Sequence, residues 1–349
     1  MKASALEIEK LNNLYQGRRV FHGELHDHAE TGETSDGKYP LMHWRGAMEA
    51  LNMDFATILD HKQVRHMYLV DWEDGVFLGG SEPGTVIIDS GATCKGCHYN
   101  MIFENAEPLM DLLNAFPEFE FSGGPEGHFT YPDFTCKRFG ELIDAVKERG
   151  GFFVIPHPKN IMQSDNPLDY WFRDETGLEV IYRGLDTKNT HANYRLWTDL
   201  LGLGKRIYAT AGCDNHKCCQ DVALTTIYAE DRKNKHYISH LRVGDFVAGG
   251  VGIRMCLGET KMGGACKFDG QKLTVFVGDF HTSVKNPEHK YRADIIDDKG
   301  VVESKEICCL RDNYLTIPVS NEASFYRVEI FDVTRELLIA IGNPIWNNK

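Results

Sequence analysis

The stretch RVFHGELHDH, residues 19–28, places a strand-like run directly before the polar cluster His26-Asp27-His28. Side chains two residues apart point to the same face of an extended chain, so His26 and His28 would project together. Two imidazoles on one face suit a metal ion. A pair of surface histidines in a loop would have the same sequence, so this motif alone leaves both interpretations open.

The same arrangement recurs along the first 250 residues. Three further polar clusters directly follow strand-like runs: Asp60-His61, Pro156-His157-Pro158 and Asp214-Asn215-His216. Helix-like runs lie between the strands, at Leu41–Leu51, Phe139–Arg149 and Ala192–Leu201. Strands that alternate with helices predict a parallel sheet, and such folds build their sites at the carboxyl ends of the strands. We therefore predict an α/β fold whose polar clusters converge at one edge.

The last hundred residues have a different pattern. After about Gly250 the strand-like runs are Leu273–Val277, Tyr291–Ile296, Tyr314–Val319 and Tyr326–Phe331. Turn signals such as Asp269-Gly270 and Lys299-Gly300 separate these runs, without a convincing helix between them. The pattern predicts an α/β domain over residues 1–250 and a small all-β domain over residues 251–349.

Composition limits the classes of partner. The formal charge of −13 over 349 residues argues against nonspecific binding to nucleic acid or to an anionic membrane. No apolar run approaches the ~18 residues that span a bilayer, and the first ten residues lack the apolar stretch of a signal peptide. We expect a cytoplasmic protein with a small-molecule substrate and neither a nucleic-acid nor a membrane partner. An oligomer remains possible.

The ten cysteines of such a protein indicate reduced thiols or metal ligands rather than disulfides. The segment Cys94-Lys95-Gly96-Cys97-His98 matches the motif that attaches c-type haem. We favour thiols over haem because no export signal is recognised. Mixed histidine and carboxylate ligands suit Zn, Mn or Fe.

The order of these motifs resembles the polymerase-and-histidinol-phosphatase (PHP) superfamily of metal-dependent hydrolases over residues 18–250. The matching positions are His26/His28, Ser35-Asp36-Gly37, Asp60-His61, His98, His157 and Asp214/His216. The end of the chain, Asn343-Pro344-Ile345-Trp346, is similar to the tail of the branch that hydrolyses carbamates and esters. Phosphoester hydrolysis by a metal-activated water is the activity that the resemblance favours. Hydrolysis of a carboxyl ester, carbamate or amide is the alternative.

The resemblance implies a distorted (β/α)7 TIM-like barrel with two or three divalent metal ions. The implied ligand sets are His26, His28 and Asp214 for one metal, His98 and His157 for a second, and Asp36, His61 and His216 for a third. Asp60 and His61 would act in catalysis, with Asp60 orienting a ligand histidine or accepting a proton. Lys159 and Arg183 would bind an anionic substrate.

One position departs from the family pattern. The superfamily places a metal-bridging glutamate after a Pro-Gly turn, and the local match here is Ser90-Gly91-Ala92-Thr93. Thr93 would then stand in place of the carboxylate, with Asp89 or Glu104 as possible replacements. Because threonine is a poor anionic bridge, a metal-binding protein without catalytic activity also remains a hypothesis.

Overall fold

A computed structural model describes residues 3–32, 34–91, 93–94, 96–119, 131–170, 173–218 and 223–348. The fold is mixed α/β with a large central sheet, and the described part contains seven α-helices. The helices are α1 (Ala5–Leu14), α2 (Leu41–Leu51), α3 (Ala106–Ala115), α4 (Cys136–Glu148), α5 (Pro158–Ile161), α6 (Lys188–Gly202) and α7 (Asn234–Leu241). Short 3₁₀ turns cover Arg65–Tyr68 and Pro167–Asp169.

The strands of the first 250 residues alternate with these helices. They are β1 (Arg19–Asp27), β2 (Phe55–Ile58), β3 (Phe77–Ser81), β4 (Gly84–Ile87), β5 (Thr93–Cys94), β6 (Cys97–His98), β7 (Asn100–Phe103), β8 (Asp133–Phe134), β9 (Phe152–Ile155), β10 (Met162–Gln163), β11 (Thr176–Tyr182), β12 (Ile207–Gly212), β13 (Thr225–Ala229) and β14 (Phe246–Gly249).

The remaining strands follow one another without an intervening helix in the described part of the chain. They are β15 (Gly252–Leu257), β16 (Thr260–Lys261), β17 (Ala265–Cys266), β18 (Lys272–Gly278), β19 (Tyr291–Asp297), β20 (Gly300–Ile307), β21 (Asn313–Pro318), β22 (Phe325–Asp332) and β23 (Leu337–Asn347).

The central sheet has the order β12-β11-β9-β7-β3-β2-β1-β13-β14-β23-β22-β19-β20. The pairs β1–β2, β2–β3, β9–β11 and β11–β12 are parallel, as the alternation predicts. The prediction is wrong for β7, which runs antiparallel to both β3 and β9. The chain returns from β3 to β7 through the short strands β4 to β6 instead of a crossover helix, and such a connection reverses strand direction.

The sheet curls until residues after β12 reach β1. The backbone N–H of Asp214 donates to the carbonyl of His26 over 2.8 Å, and the N–H of His28 donates to the carbonyl of Asn215 over 2.9 Å. Five strands separate β12 from β1 in the sheet order, yet their carboxyl ends meet. Polar clusters that are distant in sequence therefore face one another.

Helix α4 shows how the sequence pattern produces this packing. Phe139, Leu142, Ile143 and Val146 recur at helical spacing and are all buried. The Thr135 hydroxyl caps the helix by accepting the N–H of Arg138, and Gly150 ends it with a φ of 81°. The apolar face packs on β9, which carries His157 at its end.

The described residues form two large hydrophobic cores and two smaller clusters. The first lies among the strands β1 to β14, and the second lies among β15 to β23. Strand β23 contributes Ile341 and Trp346 to the first core and Ile339 and Ile345 to the second, so the central sheet is continuous between them. The division into domains at residue 250 stays a prediction. Among the described residues, no helix is long and apolar enough to cross a membrane.

Candidate metal centre

The fold brings all eight predicted ligand side chains together with a ninth, Glu82. They form three groups that share members, and in each group the ligand atoms lie within 4.8 Å of one another. The groups are His26, His28, Glu82 and Asp214; Glu82, His98 and His157; and His28, Asp36, His61 and His216.

The ends of neighbouring strands position these side chains. His26 ends β1, His61 follows β2, Glu82 follows β3 and His157 follows β9. Two of the ligands, His157 with a φ of 31° and Asp214 with a φ of 53°, have left-handed backbones that non-glycine residues rarely adopt. Such conformations cost about 1–3 kcal/mol and concentrate at functional sites, so they mark this strand edge as a candidate site.

Glu82 lies between two of the groups and is 1% exposed. Its Oε2 atom lies 3.3 Å from Nε2 of His26 and 3.1 Å from Nε2 of His28. Its Oε1 atom lies 3.1 Å from Nδ1 of His98 and 3.2 Å from Nε2 of His157. Each carboxylate oxygen thus faces a different histidine pair, which is the arrangement of a carboxylate that bridges two metal ions.

The third group is more open than the other two. Asp36 accepts from Nε2 of His216 over 2.9 Å through Oδ2, and its Oδ1 lies 3.6 Å from Nε2 of His61. The side chains of Asp36 and His216 are 28% and 26% exposed, whereas those of His26 and His28 are almost fully buried. A substrate can therefore approach the centre from the side of the third group.

Several buried polar atoms at the centre have no hydrogen-bond partner within the described structure. They are Nε2 of His26, both ring nitrogens of His28 and Oδ1 of Asp36. Buried polar atoms are rarely left unsatisfied, because each such atom costs about 1–3 kcal/mol. Atoms of the same kinds ligate divalent transition metals, so the residues present fit metal ions.

The carboxylates of the centre are held in their ionised form. Although burial opposes charge, His26 and His98 keep the pKa of Glu82 well below its usual value. Despite the burial of Asp214, its close contact with the ring of His28 does the same for its pKa. Burial opposes the charged form of His28 too, but Asp214 and Glu82 raise its pKa to about 10. Ionised carboxylates next to histidines form a site that favours cations.

Glu179 on β11 supports two of the histidines from outside the groups. Its Oε1 lies 3.0 Å from Nδ1 of His26, and its Oε2 accepts the backbone N–H of His157 over 2.8 Å. This contact directs Nε2 of His26 toward Glu82 and Asp214. Glu179 was not among the predicted site residues, although an acidic residue inside the apolar run Leu178–Tyr182 was the available signal.

Two residues at the end of the neighbouring strand β11 hold the carboxylate of Asp214. Its Oδ2 accepts the hydroxyl of Tyr182 over 2.9 Å and the guanidinium of Arg183 over 2.7 Å. Its Oδ1 faces Nε2 of His28 at 3.2 Å. The side chain of Arg183 is 48% exposed, so this predicted substrate-binding residue lies at the rim of the centre.

Tyr131 contacts His98 on the side opposite Glu82. Its hydroxyl lies 3.0 Å from Nε2 of His98, whose Nδ1 faces Glu82. The ring is held between Gly84 and Gly96, where a Cβ atom on either glycine would collide with it. The sequence analysis did not identify this tyrosine, because nothing in its local sequence distinguishes it.

The two remaining predicted site residues lie at the periphery. The carboxylate of Asp60 accepts the N–H of Ala29 over 3.0 Å and the hydroxyl of Thr31. It thus orders the segment after β1 and contacts none of the ligand histidines in the described hydrogen bonds. The ammonium of Lys159 donates to the carbonyl of Ser164. Lys159 lines a cleft of about 840 Å³ beside the centre.

Glu82 lies between the histidines, at the place for which Thr93, Asp89 and Glu104 were considered. It precedes the turn Pro83-Gly84, whereas the family pattern places the glutamate after a Pro-Gly turn, and strand β3 was not predicted. Asp89 is no replacement, because it accepts the N–H of Cys136 instead, and Glu104 lies at an exposed position after β7. The side chains of Thr93 and Cys94 lie outside the described residues.

Comparison with known proteins gives no family assignment. No family model matches the chain, and no curated protein matches it. Among solved structures, the lesion-specific endonuclease PfuEndoQ from Pyrococcus furiosus aligns with a TM-score of 0.42 at 12% identity, over 64% of this chain and 56% of that one. Endonuclease Q in complex with a 27-mer duplex aligns with a TM-score of 0.42 at 10% identity, over 64% and 57%. The match spans little more than half of either endonuclease.

These matches overturn the prediction that excluded nucleic acid. The second structure is described as a complex with a duplex substrate that has an abasic lesion at the active site of that endonuclease. The physical error lay in using the net charge of −13 as a criterion. That charge is summed over the whole surface, whereas bound cations and nearby side chains determine the local field at a site.

Proposed function

We propose that this protein is a metal-dependent hydrolase of the PHP type that cleaves phosphoesters. The observation that carries the proposal is Glu82, whose two oxygens face His26 and His28 on one side and His98 and His157 on the other. Two or three Zn, Mn or Fe ions fit the three groups of ligands. When bound, such ions would acidify a water molecule and stabilise negative charge on the substrate.

In this proposal, each side chain around the centre has a different role. His61 and His216 hold the accessible side of the centre together with Asp36. Arg183 is the rim cation that contacts an anionic substrate, and its bond to Asp214 keeps its guanidinium in place. Glu179 fixes the ring of His26. Asp60 acts through the segment that it orders and not on the reacting atoms.

The fold that we propose for the first 250 residues is the distorted (β/α)7 barrel. The contacts of Asp214 and Asn215 with His26 and His28 support it, because they join the end of β12 to that of β1. The alternative hypothesis of a protein without catalytic activity rested on Thr93, and the position of Glu82 between the histidines favours the hydrolase over that alternative. Carboxyl ester, carbamate and amide bonds remain alternative substrates of the same geometry.

A hydrolysis panel on protein loaded with manganese or zinc tests the proposal. It includes a phosphomonoester, a phosphodiester, a carboxyl ester and a duplex with an abasic lesion. We expect turnover of a phosphoester that is lost in His26→Ala and reduced at least 100-fold in Glu82→Gln. Turnover of the carboxyl ester alone would assign the alternative bond. Metal binding without turnover of any substrate would refute the proposed activity.

A further inference from the structure

A cleft lies beside the metal centre, and none of the nine ligand residues of the centre lines it. It has a volume of about 840 Å³ and runs between helix α6 and the segment 159–167. Cavities of about 300–1,000 Å³ hold ligands of the size of a metabolite. The centre alone cannot account for a cleft of this size, because none of its nine ligand residues contributes to the wall.

The segments that form the walls of the cleft follow, along the chain, strands that carry residues of the centre. Lys159 follows the ligand His157 by two residues, and α6 follows β11, which ends at Tyr182 next to Asp214. A hydrogen-bonded chain joins the two walls, because Asn193 accepts the N–H of Lys159 over 3.4 Å and donates to the carbonyl of Glu179 over 2.9 Å. The cleft therefore lies on elements that continue directly from those of the centre.

The cleft carries cations along one face of α6. Lys188 and Arg195 are seven residues apart, which places them on the same side of the helix roughly 10 Å from each other. Within the described structure, neither forms an ion pair, although the chain is strongly acidic and Asp165 and Asp199 also line the cleft. Lys159 adds a third cation at the end near His157.

We propose that this cleft binds a second anionic group, a phosphate or carboxylate, of a small substrate whose ester is cleaved at the metal centre. The inference rests on the proposed hydrolysis and narrows the substrate class. The substrate would carry two separated anionic groups, one that reacts and one that Lys188 and Arg195 bind. Multiple cations around a distal anion give affinity and orientation without taking part in the reaction.

The test compares alkanediol bisphosphates of three, six and ten carbons with the matching alkyl monophosphates. It measures whether the protein prefers a substrate with two anionic groups. We expect a KM at least tenfold lower for one bisphosphate length than for its monophosphate. In Lys188→Ala/Arg195→Ala this advantage falls about tenfold. The control Lys235→Ala/Lys267→Ala, which removes the same charge from exposed positions elsewhere, retains the advantage. Equal KM values for both series, or an advantage unchanged by the cleft variant, would refute the cleft proposal.

Failure of the proposed hydrolysis can be recognised separately. If the loaded protein cleaves neither series, calorimetric binding of hexanediol bisphosphate and hexyl phosphate replaces KM. Tighter binding of the bisphosphate that is lost in Lys188→Ala/Arg195→Ala would support the cleft even without turnover. If the cleft variant weakens only the binding of a single-stranded oligonucleotide and not that of the bisphosphates, the occupant is nucleic acid and the proposal of a small substrate is wrong.

Discussion

At the scale of single residues, the centre depends on side chains that hold the ligands in place. His98 faces Glu82 through Nδ1 and Tyr131 through Nε2. A neutral imidazole that ligates a metal through Nδ1 carries its proton on Nε2, and that N–H would donate a hydrogen bond to the oxygen of Tyr131. We therefore propose that Tyr131 is a positioning residue that selects the tautomer and the orientation of His98.

Replacement of Tyr131 by phenylalanine tests this role. We expect Tyr131→Phe to weaken one metal-binding step about 10–100-fold, while the step that involves His26 and His28 is retained. Calorimetric titration with Mn²⁺ or Zn²⁺ measures both steps without reference to activity. Tyr170→Phe is the control, because the Tyr170 hydroxyl contacts the carbonyl of Met162 and no ligand. Equal titration curves for Tyr131→Phe and the original protein would remove Tyr131 from the centre.

At the scale of secondary-structure elements, the close approach of β12 to β1 and β11 forms the centre. Gly212 ends β12, and a Cβ atom there would collide with the carboxylate of Glu179 and with Cβ of His26. Glycine is required at this position because the strands meet where the ligands emerge. The side chain of His26 keeps its direction only if this contact is preserved.

Gly212→Ala should therefore displace His26 and Glu179. We expect the bound metal, measured by elemental analysis after gel filtration, to fall by at least one ion per chain. Gly202→Ala provides the comparison, since the same methyl group on α6 would meet no atom within 4 Å. Full metal content in Gly212→Ala would show that the strands can separate without affecting the ligands.

A second junction between elements makes stability depend on pH. His22 on β1 lies beside His281, with ring centroids 5.1 Å apart, and its backbone N–H donates to Asp54. Burial, together with the proximity of His281, lowers the pKa of His22 to about 3. Above pH 6.5 the ring is neutral in both the folded and unfolded states. Below that pH the unfolded chain binds a proton that the folded chain excludes, so stability falls.

We expect the free energy of unfolding to decrease between pH 6.5 and pH 5 by up to about 2 kcal/mol from this histidine. Urea denaturation at several pH values measures the slope. In His22→Gln, which retains a polar side chain without titration, the slope should be smaller. An identical slope in the variant would mean that other groups, among them His281 and Asp54, produce the pH dependence.

At the scale of the whole molecule, metal binding should stabilise the fold. Ligands from β1, β2, β3, β9 and β12 meet at the centre, so a bound ion links elements from residue 26 to residue 216. An ion at 100 times its dissociation constant adds about 2.7 kcal/mol to the free energy of unfolding. We expect chelation to lower the Tm by several degrees and Mn²⁺ or Zn²⁺ to restore it. Glu82→Gln should lose most of this response, whereas a response of full size in that variant would contradict the bridging role.

Local sequence patterns correctly predict several secondary-structure elements of this protein. Leu41–Leu51 is a helix and Phe152–Ile155 a strand with the predicted bounds, because apolar periodicity reports which face is buried. The eight predicted ligands meet at one place, and all except Asp36 lie at or just after the end of a strand. Glu82, Glu179 and Tyr131 could not be predicted in the same way, since each gains its role from residues distant in the chain.

Contacts between distant parts of the chain determine which carboxylate lies between the histidines, and they determine that β7 runs antiparallel to its neighbours. Local sequence encodes which residues are apolar and where turns fall, and these are short-range properties. The distance between Glu82 and His157 depends instead on the curl of the sheet, which brings β12 to β1 through packing over the entire first core. Local sequence motifs therefore indicate the candidate ligands, whereas the whole fold determines that these side chains meet in one centre.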